Sequence, residues 1–233
     1  MKAVVLAAGE GTRLEPARDG VPKPLVEVAG KPILTRCFES LLDAGFKQAV
    51  VVVGYRRREI KSKYGDSFGE LDIEYAVQHE QKGVADAVLS AENHTGSNFA
   101  VLNGDNIYSA NLTEAVEKHR SSDAEITFLT KNVSPEKARE GAVFRMKDGE
   151  ITGIVEKPSD PPSNLAPAAF YILPTEIFPA CRIIKPSDRG EYELPDAVDL
   201  LLYSGYSCET VPMEGWKVNI NKPRDIERAE KKL

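Results

Sequence analysis

Near its beginning the chain reads Ala3-Val4-Val5-Leu6-Ala7-Ala8-Gly9-Glu10-Gly11-Thr12-Arg13-Leu14. The apolar run Ala3–Leu6 predicts a buried strand, and the small residues after it predict a tight turn. Gly9 and Gly11 can adopt backbone dihedrals that other residues avoid, so a ligand can approach the backbone N–H groups closely. Arg13 adds a forked cation. The combination favours a phosphate site, with a tight turn and a surface arginine as the plain alternative.

The turn matches neither of the two commonest glycine loops. Leu14 stands where the third glycine of the dinucleotide-binding fingerprint belongs, and no Gly-Lys-Ser/Thr follows, as a Walker A loop requires. Further cations for a phosphate ligand must therefore come from elsewhere in the chain.

Composition narrows the class of protein. The 233 residues are 42% hydrophobic and carry a net charge of -6, which favours a globular domain and argues against a nucleic-acid binder. Cys37, Cys181 and Cys208 form no Cys-x-x-Cys, so we expect neither disulfides nor zinc, and a cytoplasmic location. No apolar stretch approaches the ~18 residues of a membrane span. The oligomeric state stays open, a homo-oligomer included.

Strands and helices alternate through the first half of the chain. The predicted strands after the first are Ala49–Val53, Ile73–Val77 and Phe99–Leu102, and the predicted helices lie near Pro32–Ala44, Arg57–Tyr64 and Val84–Asn93. This rhythm predicts a three-layer αβα sandwich with a Rossmann-like, mostly parallel mixed sheet. Ligands bind at the carboxyl ends of such strands, so the glycine turn, Gln78 and Asp105 should face one crevice.

The second half is less regular. The sequence predicts strand Glu125–Leu129, a hairpin of Ala142–Met146 with Ile151–Val155, and strand Ala168–Leu173 after a proline-rich stretch. Helices near Leu194–Tyr203 and Arg224–Lys232 should close the fold. With no linker that would split the chain, we expect one domain over residues 1–233 with a small inserted β lobe.

Two residues are candidates for phosphate and metal chemistry. Lys23 lies between Pro22 and Pro24, where it loses little backbone entropy on ordering. Asp105 follows an apolar strand, a place from which a carboxylate holds Mg²⁺ together with substrate phosphates. A solvated loop lysine and a turn or helix-capping aspartate are the respective alternatives.

Two further sets suit a base and a sugar. Gln78 has an amide that matches the O4 and N3–H edge of uracil or thymine, and Gly83 exposes its backbone to that edge. Glu156, Lys157 and Asn164 supply an acid, a cation and an amide for sugar hydroxyls and a phosphate. A polar loop and an exposed ion pair are the alternatives.

No histidine pair at ligand spacing and no serine or cysteine nucleophile is evident. A sugar 1-phosphate that attacks the α-phosphate of a nucleotide brings its own nucleophile, because a phosphate monoester is largely dianionic above its second pKa of roughly 6. No general base is then needed. The reaction instead needs neutralisation of the negative charge on the crowded phosphates. Arg13, Lys23, Lys157 and a Mg²⁺ on Asp105 would supply it.

With these residues assembled, the chain resembles the sugar-1-phosphate nucleotidylyltransferases, the family of glucose-1-phosphate uridylyl- and thymidylyltransferases. The likeness runs from the glycine turn and Pro22-Lys23-Pro24 to Asn219. It implies a Mg²⁺-dependent enzyme that joins UTP and glucose 1-phosphate into UDP-glucose and pyrophosphate. The alternatives are dTTP as the nucleotide and N-acetylglucosamine 1-phosphate as the sugar.

The resemblance also implies roles for individual residues. Arg13 and Lys23 would be catalytic. The implied nucleotide-binding residues are Leu6, Ala8, Gly9, Gly11, Thr12, Arg13, Gln78, Gly83 and Asp105. The implied sugar-phosphate residues are Gly141, Glu156, Lys157, Asn164 and Tyr171, and the implied metal ligands are Asp105 and Asn219. Residues 1–110 would then form the nucleotide-binding half, and residues 111–233 the half with a sugar-binding β lobe.

Three departures from the family pattern stand out. Asn219 replaces the second metal aspartate of many members, and Ala168-Ala169 replaces a Thr-Gly pair, which leaves the sugar open. The chain also ends at Leu233 without the C-terminal extension of longer relatives, which suggests a stand-alone transferase.

Two other classes remain as alternatives. A non-catalytic nucleotide-sugar sensor would usually lose a phosphate cation or the metal acid, yet Arg13, Lys23, Asp105 and Lys157 are all present. A glycosyltransferase typically carries Asp-x-Asp, whereas this chain has Gly104-Asp105-Asn106.

Overall fold

The first predicted strand lies inside a large sheet in the computed structural model, which describes residues 1–17 and 20–233. The strands are β1 (Lys2–Ala7), β2 (Glu27–Val28), β3 (Lys31–Pro32), β4 (Gln48–Val53), β5 (Ser67–Phe68), β6 (Leu71–Val77), β7 (Asn98–Asn103), β8 (Asn106–Ala110), β9 (Ile126–Asn132), β10 (Ala142–Lys147), β11 (Glu150–Glu156), β12 (Leu165–Pro174), β13 (Cys208–Pro212) and β14 (Gly215–Asn219). The α-helices are α1 (Ile33–Asp43), α2 (Arg57–Tyr64), α3 (Val84–Leu89), α4 (Leu112–Ser121), α5 (Pro135–Ala138), α6 (Ile177–Ile183), α7 (Leu194–Tyr203) and α8 (Pro223–Glu230). Short 3-10 helices cover Thr12–Ala17, Lys23–Leu25 and Glu92–His94. Among the described helices, none is long and apolar enough to cross a membrane.

The central sheet has eight strands in the order β13-β9-β12-β7-β1-β4-β6-β5. Strand β1 pairs in parallel with β4 and β7, and β4 pairs in parallel with β6. Strand β12 runs antiparallel between β7 and β9. The predicted fold class, a mostly parallel mixed sheet, is confirmed, and β10 with β11 forms the separate small β lobe.

Alternating side chains of β1 produce the three layers. Ala3, Val5 and Ala7 lie in one buried cluster with residues of α1, α2 and α4. Val4 lies in a second cluster with residues of α3, α6 and α7 on the opposite face. Successive strand residues point to opposite faces, so a continuous apolar strand is stable only when helices cover both sides.

The carboxyl ends of the parallel strands lie along one edge of the sheet, as predicted. The Gly104 N–H donates to the Leu6 carbonyl at 2.9 Å, which ties the turn after β7 to β1. The Gln78 N–H donates to the Val53 carbonyl at 2.9 Å, which ties the end of β6 to β4. The fold therefore brings the glycine turn, Gln78 and Asp105 to the same edge.

Three predicted boundaries are off by three residues or more. Strand β9 continues to Asn132 instead of ending at Leu129. Helix α3 ends at Leu89 instead of reaching Asn93, because the Ser90 hydroxyl bonds back to the Asp86 carbonyl and the chain tightens into a 3-10 turn. Strand β12 begins at Leu165 instead of Ala168. It contacts β9 on one side and β7 on the other, and the pairing with β9 shifts register between Pro167 and Tyr171.

The register shift places Ala169 in the left-handed region, with φ of 57°. A side chain at such an angle brings Cβ close to the neighbouring backbone, a cost that glycine avoids. The Tyr108 hydroxyl donates to the Ala169 carbonyl at 2.8 Å and holds the bulge in place. This conformation gives a physical reason for the glycine that the family pattern carries at this position.

Replacing Ala169 with glycine should therefore stabilise the protein. We expect Ala169→Gly to raise the free energy of unfolding by about 1 kcal/mol, or the melting temperature by about 2–4 °C. Ala168→Gly is the matched control. Ala168 is fully buried and has no positive φ, so its glycine variant should lose about 1 kcal/mol. Thermal unfolding that shows both variants destabilised equally would contradict the strain argument.

Candidate active site

The side chain of Lys23 links three distant parts of the chain at the edge of the sheet. The Lys23 Nζ donates to Asp105 Oδ2 at 2.7 Å and to Asn221 Oδ1 at 2.8 Å. The Lys23 side chain is only 10% exposed, so these contacts form largely away from water. The other carboxylate oxygen, Asp105 Oδ1, is buried and has no hydrogen-bond partner within the described part of the chain.

Gly11 makes room for the stem of Lys23. Its φ is 65°, and a Cβ built on it would lie 2.8 Å from the Lys23 Cβ. Gly11 is therefore required both for the left-handed turn and for the close passage of the lysine. The glycine turn and the lysine that the sequence identified separately form one packed unit.

These residues surround a cavity of about 90 Å³. Its walls are Leu6, Ala7, Gly9, Gly11, Lys23, Pro24, Gly104 and Asp105. Ala8 is buried beside it, and Thr12 and Arg13 are exposed on the 3-10 helix that follows the turn. The structure thus brings the predicted phosphate residues to one place.

Asn219 lies near this cluster through its backbone. It is the last residue of β14, is exposed, and pairs with Asn106, while the next residue, Ile220, donates its N–H to the Asp105 carbonyl at 2.9 Å. The amide that reaches Lys23 belongs to Asn221 instead. Sequence reasoning missed Asn221, although its spacing of two residues from Asn219 could have suggested it.

Lys217, which lies near Asp105, and its neighbour Lys131 were also missed. Burial lowers the pKa of Lys217 to about 7, with a further lowering from nearby Lys131 and an opposing effect of Asp105. Burial lowers the pKa of Lys131 as well, reinforced by Arg228 and Lys137. Lys217 lies two residues before Asn219 on β14, so strand periodicity could have placed both on one face.

Gln78 and Gly83 are in direct contact, as their proposed shared role requires. Gln78 is 4% exposed, and its Nε2 donates to the Gly83 carbonyl at 3.2 Å and to Asp86 Oδ2 at 2.7 Å. Gly83 has φ of 121°, and a Cβ on it would lie 2.5 Å from the Tyr192 carbonyl oxygen. The Tyr192 N–H in turn donates to the Lys82 carbonyl at 2.7 Å. Asp86, a partner of Gln78, was not identified from the sequence.

The predicted sugar-phosphate residues divide into two sets. Gly141, Glu156 and Lys157 lie together at the open end of the hairpin, where the Lys157 N–H donates to the Gly141 carbonyl at 3.0 Å. The Lys157 Nζ is 3.3 Å from Glu156 Oε1. Asn164 is exposed and precedes β12, and its carbonyl accepts from the Val133 N–H at 2.9 Å.

Tyr171 lies in the core rather than in an open pocket. It is 8% exposed and its ring meets the Phe128 ring edge-on, with centroids 5.9 Å apart. Burial raises the pKa of its hydroxyl, and the nearby Glu156 charge adds to this effect. Tyr171 is therefore a core residue that lies near Glu156.

Glu156 lies in an acidic, poorly solvated environment. Burial raises its pKa to about 7, and the charge of Glu193 adds to the rise, while Arg189 opposes it. Arg189 contacts Glu193 closely and lies 3.9 Å from Glu156 Oε1. Glu156 therefore releases its proton less readily than a solvated glutamate does.

The described residues contain no group of three or more histidine, cysteine, aspartate or glutamate side chains that could together hold a metal. A metal here would rely on few protein ligands. That arrangement is typical of Mg²⁺, which takes one or two carboxylates with substrate phosphates and water.

The close packing of Gly11 against Lys23 can be tested by adding a methyl group. Gly11→Ala should destabilise the protein by about 1–3 kcal/mol, because alanine meets both a left-handed φ and the lysine stem. Gly9→Ala is the matched control. A Cβ on Gly9 would meet nothing within 4 Å, so its melting temperature should stay close to that of the parent. Equal melting temperatures for the two variants would contradict the packing argument.

The raised pKa of Glu156 predicts a pH-dependent stability. Because the folded protein holds this proton more tightly than the unfolded chain, the contribution is present below pH 4.5 and is lost as the pH rises to about 7. Glu156→Gln should remove about 3 kcal/mol of this dependence, measured as urea unfolding across that range. Glu150→Gln, an exposed carboxylate on the same hairpin, should leave the pH profile unchanged. An identical profile for Glu156→Gln and the parent would show that Glu156 ionises normally.

Comparison with known proteins agrees with this geometry. The nucleotidyl transferase family profile matches residues 2–230. The chain is 46% identical to the UTP–glucose-1-phosphate uridylyltransferase AglF of Haloferax volcanii, over 100% of this chain and 96% of that protein. It is 35% identical to a glucose-1-phosphate thymidylyltransferase of Streptomyces antibioticus, over 93% of this chain and 62% of that protein.

Among solved structures, a UDP-glucose pyrophosphorylase complexed with UDP-glucose superposes with a TM-score of 0.87. The two chains are 24% identical and the match covers 99% of this chain and 97% of the other, so this likeness supports the fold. These relatives are nucleotidyltransferases, which favours neither a non-catalytic sensor nor a glycosyltransferase. The chain therefore belongs to the nucleotidyl transferase family, as a sugar-1-phosphate nucleotidyltransferase.

Proposed function

We propose that the protein joins UTP and glucose 1-phosphate, forming UDP-glucose and pyrophosphate. One observation carries the proposal most strongly: Lys23 and Asp105 meet at a glycine-lined cavity, at the same edge of the sheet as the contact between Gln78 and Gly83. The Lys23 cation and the backbone N–H groups of the glycine turn suit the triphosphate. The side-chain amide of Gln78 and the backbone of Gly83 suit a pyrimidine base. The likeness to AglF over the whole chain supports UTP and glucose 1-phosphate as the substrates.

The reaction needs charge neutralisation and alignment more than proton transfer. A phosphate oxygen of glucose 1-phosphate attacks the α-phosphorus of UTP, and the bond from that phosphorus to the bridging oxygen breaks as pyrophosphate leaves. Arg13 and Lys23 would stabilise the negative charge on the triphosphate. Lys157 would neutralise the sugar phosphate. Glu156 would bind a sugar hydroxyl and Asn164 would contact the sugar phosphate.

The residues present fit a bound Mg²⁺. The buried oxygen Asp105 Oδ1 has no partner within the described residues, which is the state expected of a carboxylate oxygen that receives a cation. Asp105 would be the charged ligand, and the amide oxygen of Asn219 is the second proposed ligand. When bound, Mg²⁺ would supply further charge neutralisation on the phosphates.

The second candidate is transfer from dTTP. The Streptomyces antibioticus relative is a thymidylyltransferase, and uracil and thymine present the same hydrogen-bonding edge to Gln78. N-acetylglucosamine 1-phosphate is the alternative sugar, because Ala169 departs from the family pattern on the sugar side.

We also propose one domain over residues 1–233, with the nucleotide-binding half at about 1–110 and the sugar-phosphate half at about 111–233. The two halves meet at one set of contacts, which supports a single domain: Lys23 and Asp105 come from the first half, and Asn221, which accepts from Lys23, comes from the second. A cytoplasmic location is proposed on the free thiols of Cys37, Cys181 and Cys208.

A pyrophosphate-release assay over all pairs of UTP, dTTP and CTP with glucose 1-phosphate and N-acetylglucosamine 1-phosphate tests the function. We expect UTP with glucose 1-phosphate to give the highest kcat/KM, and turnover to require Mg²⁺. Asp105→Asn should lower kcat/KM at least about 100-fold, because a neutral amide replaces the proposed metal carboxylate.

Asp72→Asn serves as the control, since Asp72 is an exposed carboxylate on β6. Melting temperatures of both variants separate lost activity from lost folding. Near-full Mg²⁺-dependent activity of a folded Asp105→Asn variant would show the metal assignment to be wrong, and no release from any pair would rule out the proposed reaction.

A further inference from the structure

The side-chain amide of Gln78 is held in one orientation by two acceptors. Its Nε2 donates to the carbonyl oxygen of Gly83 at 3.2 Å and to Asp86 Oδ2 at 2.7 Å. A carbonyl and an ionised carboxylate can only accept hydrogen bonds, so both contacts require the NH₂ group on that side. The carbonyl oxygen Oε1 of Gln78 must then point the other way, and it accepts no hydrogen bond from the described part of the chain.

Asp86 is the stronger of the two acceptors. Its contact is the shorter one and involves a charged oxygen, and such bonds are roughly twice as strong as those between neutral groups. Gln78 is 4% exposed, so little water competes for its amide. Turning the amide by 180° would bring Oε1 against two acceptors in this poorly solvated place, which is costly.

The position of Asp86 is itself well fixed. It lies in the first turn of α3, three residues after Gly83. The Ala85 N–H donates to the Tyr192 carbonyl at 3.0 Å, and the Tyr192 N–H donates to the Lys82 carbonyl at 2.7 Å. Backbone hydrogen bonds to Tyr192 therefore fix the chain on both sides of Gly83. The start of α3 in turn fixes the Asp86 carboxylate against Gln78.

The orientation of this amide decides which pyrimidine it can bind. Uracil and thymine carry a hydrogen on N3 and an acceptor at O4, whereas cytosine has an unprotonated N3 and an amino group at C4. A fixed Oε1 accepts from the N3–H of uracil or thymine. With cytosine, the same Oε1 would face the unprotonated N3, which is also an acceptor. A turned amide would present its NH₂ group to N3 and could bind cytosine.

We propose that Asp86 is a positioning residue for base selection: by holding the Gln78 NH₂ group it presents Oε1 to the base, and so favours uridine and thymidine nucleotides over cytidine nucleotides. This inference rests on the proposed pyrimidine nucleotide substrate. It goes further because it assigns the choice between pyrimidines to a residue that does not touch the base.

Equilibrium binding tests the inference without relying on turnover. The ratio of the CTP and UTP dissociation constants is measured by isothermal titration calorimetry for the parent, for Asp86→Asn and for Glu80→Gln. Asparagine can offer an NH₂ group to Gln78 and so permits the turned amide. We expect Asp86→Asn to lower the CTP-to-UTP ratio at least tenfold.

Glu80→Gln is the matched control, because it makes the same acid-to-amide change in the loop that precedes α3, at an exposed residue that pairs with Lys82. Its ratio should equal that of the parent. A folded Asp86→Asn protein with the parent's ratio would overturn the proposal, and so would a parent protein that binds CTP as tightly as UTP. Preferential UTP binding without pyrophosphate release would instead count against the proposed reaction and leave the base-selection proposal standing.

A measurement on the unmodified chain decides the matter if Asp86→Asn does not fold. The two Nε2 protons of Gln78 are followed by nitrogen-15 NMR in the parent protein with UTP bound. Both protons should exchange slowly with solvent, because both are hydrogen-bonded to protein acceptors. Exchange as fast as that of an exposed glutamine such as Gln48 would overturn the proposal.

Discussion

The contact between Lys23 and Asp105 is the interaction on which the rest of the site depends. Removing a lysine and an aspartate from water costs several kcal/mol for each ion, and their attraction offsets this only when further hydrogen bonds are made. Asn221 provides one for the lysine. The second carboxylate oxygen is left buried and unpaired, so the pair is incomplete as a purely structural element and suited to receive a ligand.

This contact also explains the glycines around it. Lys23 reaches Asp105 because Gly11, which has no side chain, leaves room for the aliphatic part of the lysine. Gly104 packs against β1 and so fixes the position of the neighbouring Asp105. A Cβ on Gly104 would be 2.9 Å from the Leu6 carbonyl oxygen. The small residues of the turn thus admit protein atoms as much as ligand atoms.

A single segment, residues 187–193, forms a wall shared by the base side and the sugar side. The Tyr192 backbone holds the loop at Gly83, and Arg189 and Glu193 lie beside Glu156. The hairpin that carries Glu156 is anchored to α7, where Asp199 Oδ1 accepts from Arg145 at 2.5 Å and from the Ile154 N–H at 2.9 Å. The proposed nucleotide and sugar-phosphate sites are therefore built on common supports.

Local chemistry was enough to predict much of this protein. The apolar run at Ala3–Leu6, the alternation of strands and helices, and the motifs around Gly11, Lys23 and Asp105 indicated the layered fold, the edge that carries the site and the family. These features follow from side-chain period, turn chemistry and charge, which neighbouring residues determine. Only the tertiary structure decided which amide reaches Lys23, that Asp86 contacts Gln78, and that burial raises the pKa of Glu156. Each of these depends on burial and on contacts between segments far apart in the chain, and a single sequence does not encode them locally.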